Sequence, residues 1–290
     1  MREFVSKAAP ALFVLLWSTG FIGAKLGLPY AEPFTFLSVR FFITLLILVP
    51  IALLFVRKLP PPVLLMHSAV TGVLVHGLYL GGVFLAISRG MPAGISALVV
   101  ALQPLLTAFV ARMLLGERLR TIQIAGLIGG LFGVALVLAP KLSGGLATQG
   151  LSGVNLVTVG LSVVGISVGT VYQKRFVSGL DMRIGNAAQY AGALVPLTLV
   201  ALMSETRVID WQPQFLFALG WLVIVLSIGA VGLLMYLIRM KSASGTASLF
   251  YLVPAVTSVM AWFLFDETLM PVQLLGMAVV MISVAAATRS

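Results

Sequence analysis

The sequence predicts an all-α integral membrane protein of ten transmembrane helices, built as two inverted five-helix repeats around a central cavity. Three observations predict this fold: an apolar composition, ten apolar runs of spanning length, and a segment that occurs twice. Of 290 residues, 60% are hydrophobic and 9% charged, and the mean hydropathy is +1.14. Soluble domains carry about 25% charged residues, so a soluble globular fold is excluded. The net charge of +10 would point to nucleic acid on a soluble protein. Here the basic residues lie between apolar runs, as they do in cytoplasmic loops, so no nucleic-acid partner is expected. The chain has no cysteine, which rules out disulfides and thiolate metal sites.

The first run, 8–28, follows Arg2 and Lys7 and looks superficially like a signal peptide, but it is long enough to be an uncut spanning helix. Runs at 34–55, 63–87, 94–115 and 121–139 complete the first half. The second half follows with 152–177, 184–203, 214–238, 245–265 and 272–288. Connections such as 57–62 and 266–271 are too short to hold a domain, so function is expected inside the bundle, in contact with membrane lipid.

The repeat appears when the chain is shifted by 150 positions. Arg89 then meets Arg239, Pro104 meets Pro254, Thr107 meets Thr257, Glu117 meets Glu267, Gln123 meets Gln273 and Gly126 meets Gly276. Between Arg89 and Ala135 there are fourteen identities in 47 positions, where this composition gives about four by chance. The expected halves are 1–145 and 146–290. Thirteen of the eighteen Lys and Arg residues fall on one side of the predicted membrane, which places both termini in the cytoplasm. Five spans per half is an odd number, so the second half must enter from the opposite face. Two halves related by a two-fold axis in the membrane plane can exchange conformations, which is the geometry of alternating access, and one chain is sufficient for it.

Several motifs resemble the drug/metabolite transporter superfamily, EamA type. They are Trp17-Ser18-Thr19-Gly20-Phe21 with Lys25, Arg40 in the second span, Pro92-Ala93-Gly94, Gln103-Pro104-Leu105, and Gly116-Glu117-Arg118-Leu119 followed by Gln123 and Gly126. Trp17 and the His76/Tyr79 pair make the chain most similar to the YddG-type exporters of aromatic amino acids within it. The resemblance implies a central substrate cavity, efflux of small metabolites and a bacterial inner membrane. The second copy departs from the pattern at Asp266 and Thr268, which stand where the first has Gly116 and Arg118.

Polar groups inside a membrane are costly and mark pathways or bundle contacts. Gly72, His76, Tyr79 and Val83 share a helical face, so His76 and Tyr79 are expected either to line the cavity or to bond between helices. Trp17, Phe21 and Lys25 share a helical face; Trp17 lies too deep for an interfacial aromatic and is expected in the cavity wall, whereas Lys25 can snorkel and His67 sits near the cytoplasmic end. Ser244, Ser248 and Tyr251 form one stripe, and Ser96, Gln103 and Thr107 another, as substrate contacts or as packing groups. Pro104 and Pro254 are expected as matched mid-helix kinks or hinges. Arg40 needs a partner, and Glu32, helix-end carbonyls and a substrate carboxylate are the candidates; it is expected as a structural or gating charge.

All eight acidic residues fall in loops or at span ends. That argues against a cation exporter and against a carboxylate proton relay, and leaves His76 as the titratable group if protons are coupled. The expectation is therefore a facilitator for neutral or aromatic amino acids that works without cofactor or metal. A proton-coupled efflux carrier, a channel and an intramembrane enzyme are the alternatives. No His-Glu-x-x-His motif or Gly-x-Ser-x-Gly elbow supports the last of these.

Overall fold

The computed structural model describes residues 2–56, 60–91, 96, 99–118, 120–143, 152–177, 179–240, 246–265 and 271–288. Among them the regular structure is helical, apart from an isolated antiparallel bridge between Ala31 and Ile209. The first half contains α1 (Arg2–Gly27), α2 (Pro33–Phe55), α3 (Pro62–Ser88), α4 (Gln103–Leu115) and α5 (Thr121–Ser143). The second contains α6 (Gly153–Phe176), α7 (Met182–Ser204), α8 (Pro213–Met240), α9 (Leu252–Phe265) and α10 (Pro271–Thr288). Proline in the first turn of α2, α3 and α8 starts each helix where its missing N–H has no intrahelical acceptor. Gly116 ends α4 with φ at +68°, a left-handed cap that glycine adopts without strain.

Six helices, α1 to α3 and α6 to α8, are long and apolar enough to cross a membrane. The described apolar stretches Gln103–Leu115, Thr121–Gly133 and Leu274–Ser283 are shorter. Large apolar side chains such as Leu54, Met203 and Ile282 face outward. Thr44, Ser68, Gln103, Ser167 and Ser227 are fully buried. This is the distribution of a chain solvated by lipid, with its polar side chains turned toward one another.

The ends of the helices recur at the spacing found in the sequence. Adding 150 to Pro33–Phe55 gives 183–205, against α7 at Met182–Ser204, and the same shift carries Gln103–Leu115 to 253–265, against α9 at Leu252–Phe265. The correspondence extends to winding. Val73–Leu80 within α3 and Leu222–Ala230 within α8 are both π-helical, and the shift carries one onto the other within a residue.

Packing follows the same exchange. Corresponding helices touch each other, α2 against α7 and α5 against α10, and the pairs α3–α7, α3–α6 and α4–α6 are mirrored by α8–α2, α8–α1 and α9–α1. Both self-paired contacts are antiparallel. A Cβ at Gly129 would meet Ser283, and one at Gly133 would meet Val280 and the Gly276 carbonyl, so the partner position descends as α5 advances. Likewise the N-terminus of α2 lies against the C-terminus of α7, joined through Glu205.

The expected fourth span is interrupted. Ala101 and Leu102 form a turn, and α4 starts at Gln103. Pro104 follows this turn in the first turn of α4, and Pro254 lies in a helical run from 246 to 265 just after its winding changes from 3-10 at Ser248–Tyr251 to α. The break comes before Pro104, because a first-turn position needs no N–H donor.

Candidate functional site

The site lies between α1, α2, α3 and α8, where a narrow cavity opens in the bundle. Successive turns of α1 contribute Trp17, Gly20, Phe21 and Ala24, and α3 contributes Tyr79, Leu80, Val83 and Phe84. Leu226 and Val231 close it from α8, and Arg40 enters from α2. A second, smaller void shares Trp17, Phe21 and Tyr79 and continues toward Phe250, Val253 and Pro254. Trp17 and Tyr79 stack at 6.4 Å between ring centroids, Phe250 meets Trp17 edgewise, and Phe13 packs at a tilt against Trp17. Ser18 anchors α1 to α9 through the Val253 carbonyl at 3.3 Å.

Arg40 is 2% exposed. Its Nε donates to Ser227 Oγ at 3.0 Å, and the Tyr190 hydroxyl is a second polar neighbour. The π-wound turn of α8 leaves the Ser227 carbonyl free for side chains of α7, and Tyr190 and Asn186 both donate to it, at 3.2 and 3.4 Å. Arg40 has no carboxylate partner among the described residues. Glu32, a candidate on sequence grounds, accepts instead from the Thr206 hydroxyl and from the backbone N–H groups of Thr206 and Arg207. Extending the 150-residue shift pairs Arg40 with Tyr190, its contact across the bundle. Tyr190 and Ser227 did not stand out in the sequence; carrying the shift into the second span is a signal that finds Tyr190, and none finds Ser227.

His76 and Tyr79 do not share an exposed face. Tyr79 lines the cavity, whereas His76, in the same π-wound turn, stacks on Tyr190 at 4.4 Å and meets Phe41 edgewise. Gln189 is its nearest polar neighbour, but neither ring nitrogen makes a well-formed hydrogen bond. Gln103 is buried and donates weakly to Thr107 at 3.5 Å, leaving Oε1 without a partner. The ring of Tyr251 lies against Gly130 of α5, and its buried hydroxyl is unpartnered. Ser244 lies outside the described residues, as do Pro92–Gly94, Leu119 and the loop 266–270. His67 is half-buried and hydrogen-bonds Tyr172 at 2.6 Å.

Both ends of the bundle are tied. At one, Glu205 accepts from the N–H groups of Phe34 and Thr35 and from the Thr35 hydroxyl, while Glu32 reaches in the opposite direction to Thr206 and Arg207. The Ala31–Ile209 bridge lies within this clamp, and the Asp210 N–H donates to the Tyr30 carbonyl beside it. At the other end, Lys174 donates to the carbonyls of Ile238 and Arg239, and Arg175 to that of Leu114.

A multi-pass helical membrane protein with an aromatic-lined interior cavity is of the class that moves solutes. The model of the EamA-like transporter family matches residues 9–139 and again 155–289, and the chain belongs to that family. It is similar to the Escherichia coli K12 protein named uncharacterized inner membrane transporter YedA, 29% identical over 96% of this chain and 89% of that one. It resembles the uncharacterized transporter YvbV of Bacillus subtilis equally, at 29% over 94% and 88%. A protein of Escherichia coli K12 named probable amino-acid metabolite efflux pump is 26% identical over 93% and 90%. A crystal structure with 22% identity superposes with a TM-score of 0.78 over 97% of this chain and 95% of that one, which shows the shared fold.

Proposed function

We propose that this protein is an alternating-access exporter of small metabolites, with neutral or aromatic amino acids as cargo, acting as a facilitator in a bacterial inner membrane. The observation that carries the reading is the cavity walled by Trp17, Phe21, Tyr79 and Phe84, set among helices that pack as exchangeable antiparallel pairs. Trp17 and Tyr79 offer an aromatic cargo a stacking surface. The two halves, 1–145 and 146–290, are inverted copies that form one working unit with ten spans and cytoplasmic termini. The recurrence of helix ends and π turns supports this arrangement. The changes of winding before Pro104 and Pro254 act as its paired hinges. The amino-acid efflux named for one relative, and the sequence resemblance to aromatic amino-acid exporters, favour the same cargo.

Uptake of radiolabelled phenylalanine and tryptophan into liposomes holding the purified protein tests this. Saturable uptake indifferent to a pH gradient is the expected result, and linear or absent uptake refutes it. One observation favours a second reading, proton coupling: His76 is a buried imidazole with both nitrogens unbonded. Under that reading uptake needs the gradient and loses that dependence in His76→Gln.

A further inference from the structure

Arg40 combines three features that do not belong together in a purely structural residue. It is buried in the middle of an apolar wall, it borders the cavity, and it faces only neutral partners. A guanidinium carries five N–H donors, and the structure accounts for one bond to Ser227 and the contact with Tyr190. A buried cation without a counter-charge is costly, and a carboxylate engaged by both faces of the fork is the partner that best relieves it. The cavity lining holds no acidic residue that could play this part or could bind an ammonium.

We propose that Arg40 is the anion-binding residue of the cavity, held in position by Ser227 and Tyr190, and that the recognised cargo is a carboxylate attached to an aromatic body. This rests on the transport reading and deepens it. The carboxylate is the required group. The ammonium of an amino acid is dispensable, because the lining supplies a cation for the one and only aromatic faces for the other. The aromatic wall of Trp17, Phe21 and Phe84 then takes the ring while Arg40 takes the acid. The cargo class therefore includes deaminated aromatic acids and excludes the corresponding amines.

The test is binding to the purified full-length protein in lipid nanodiscs, followed by tryptophan fluorescence and thermal unfolding. Three probes share one ring: phenylalanine, 3-phenylpropionate and phenethylamine. The wild-type protein is expected to bind the two carboxylates saturably and the amine at least about tenfold more weakly. Arg40→Gln is expected to lose about tenfold or more in carboxylate affinity and none for the amine, and Arg40→Lys to fall between. Tyr190→Phe, which disturbs the guanidinium without removing it, weakens carboxylate binding less. A merely structural Arg40 would not change the order of the three probes.

Amine binding as tight as that of 3-phenylpropionate, or no carboxylate binding, overturns the assignment. The wild-type comparison alone decides this if a variant fails to fold. Labelled phenylalanine uptake separates the two readings. Saturable uptake inhibited equally by the amine sinks the Arg40 assignment and leaves transport intact. Carboxylate binding without phenylalanine uptake sinks the amino-acid reading and leaves Arg40 in place.

Discussion

At the scale of single residues, the interior is organised by groups whose hydrogen bonding is incomplete. His76, Gln103, Gln189 and Tyr251 each bury an atom without a partner, and Arg40 buries a charge without a counter-charge. Such sites are retained where something other than stability is at stake. Arg40 gives the clearest test. Replacing a buried unpaired cation by an apolar side chain of similar length removes a desolvation cost of several kcal/mol and two neutral contacts. Arg40→Met is therefore expected to unfold at or above the wild-type temperature while losing carboxylate binding. Thermal unfolding in nanodiscs measures this, and a midpoint well below wild type would show that Arg40 holds the fold together.

Glycine decides how closely helices approach. At Gly72 a Cβ would lie 1.8 Å from the Gln189 carbonyl oxygen of α7. Backbone cannot move aside as a side-chain tip does, so Gly72→Ala is expected to part α3 from α7 and to cost about 1–3 kcal/mol in denaturant or thermal unfolding. Unchanged stability would mean that the two helices do not pack as described.

At the scale of elements, the sequence disclosed spans better than faces. Helix ends followed from charge, proline and glycine, and α2 and α7 lie close to their expected positions. The π turn of α3 was not legible, because 3.6-residue periodicity carries no sign of it; of the two residues grouped in the sequence, Tyr79 lines the cavity and His76 stacks on Tyr190. Trp17 and Arg40 were legible as cavity and intramembrane residues because bulk and charge at that depth are rare. Tyr190 and Ser227 were not, since a phenol and a small hydroxyl are common packing groups and gain meaning only from the neighbour they meet.

The clamp between the α1–α2 and α7–α8 connections also belongs to this scale. The Thr206 hydroxyl, with the backbone N–H groups of Arg207 and Thr206, holds the Glu32 carboxyl below the ordinary 4.5. A depressed folded value means that the carboxylate supports the clamp above the unfolded pKa, and that this support is lost as pH falls through the folded one. Hydrogen-exchange protection at 30–35 and 205–210, taken relative to the intrinsic rate at each pH, is expected to be high at neutral pH and to fall below about pH 4.5. Glu32→Gln should exchange faster at neutral pH and respond less to acid; an unchanged acid response would rule out Glu32 as its source.

At the scale of the whole molecule, the helices pair so that exchanging the halves preserves the contacts, and ties exist at both ends of the bundle. An alternating-access carrier must break one set of ties while keeping the other. The most direct measurement is counterflow of labelled cargo in liposomes with the clamp locked by a disulfide. The chain has no cysteine of its own, so Ala31→Cys with Ile209→Cys can be oxidised cleanly across the antiparallel bridge. The reduced protein is expected to show saturable uptake accelerated by cargo on the opposite side, oxidation should abolish it, and reduction should restore it. Counterflow that continues undiminished after complete oxidation would contradict a carrier that works by opening this end of the bundle.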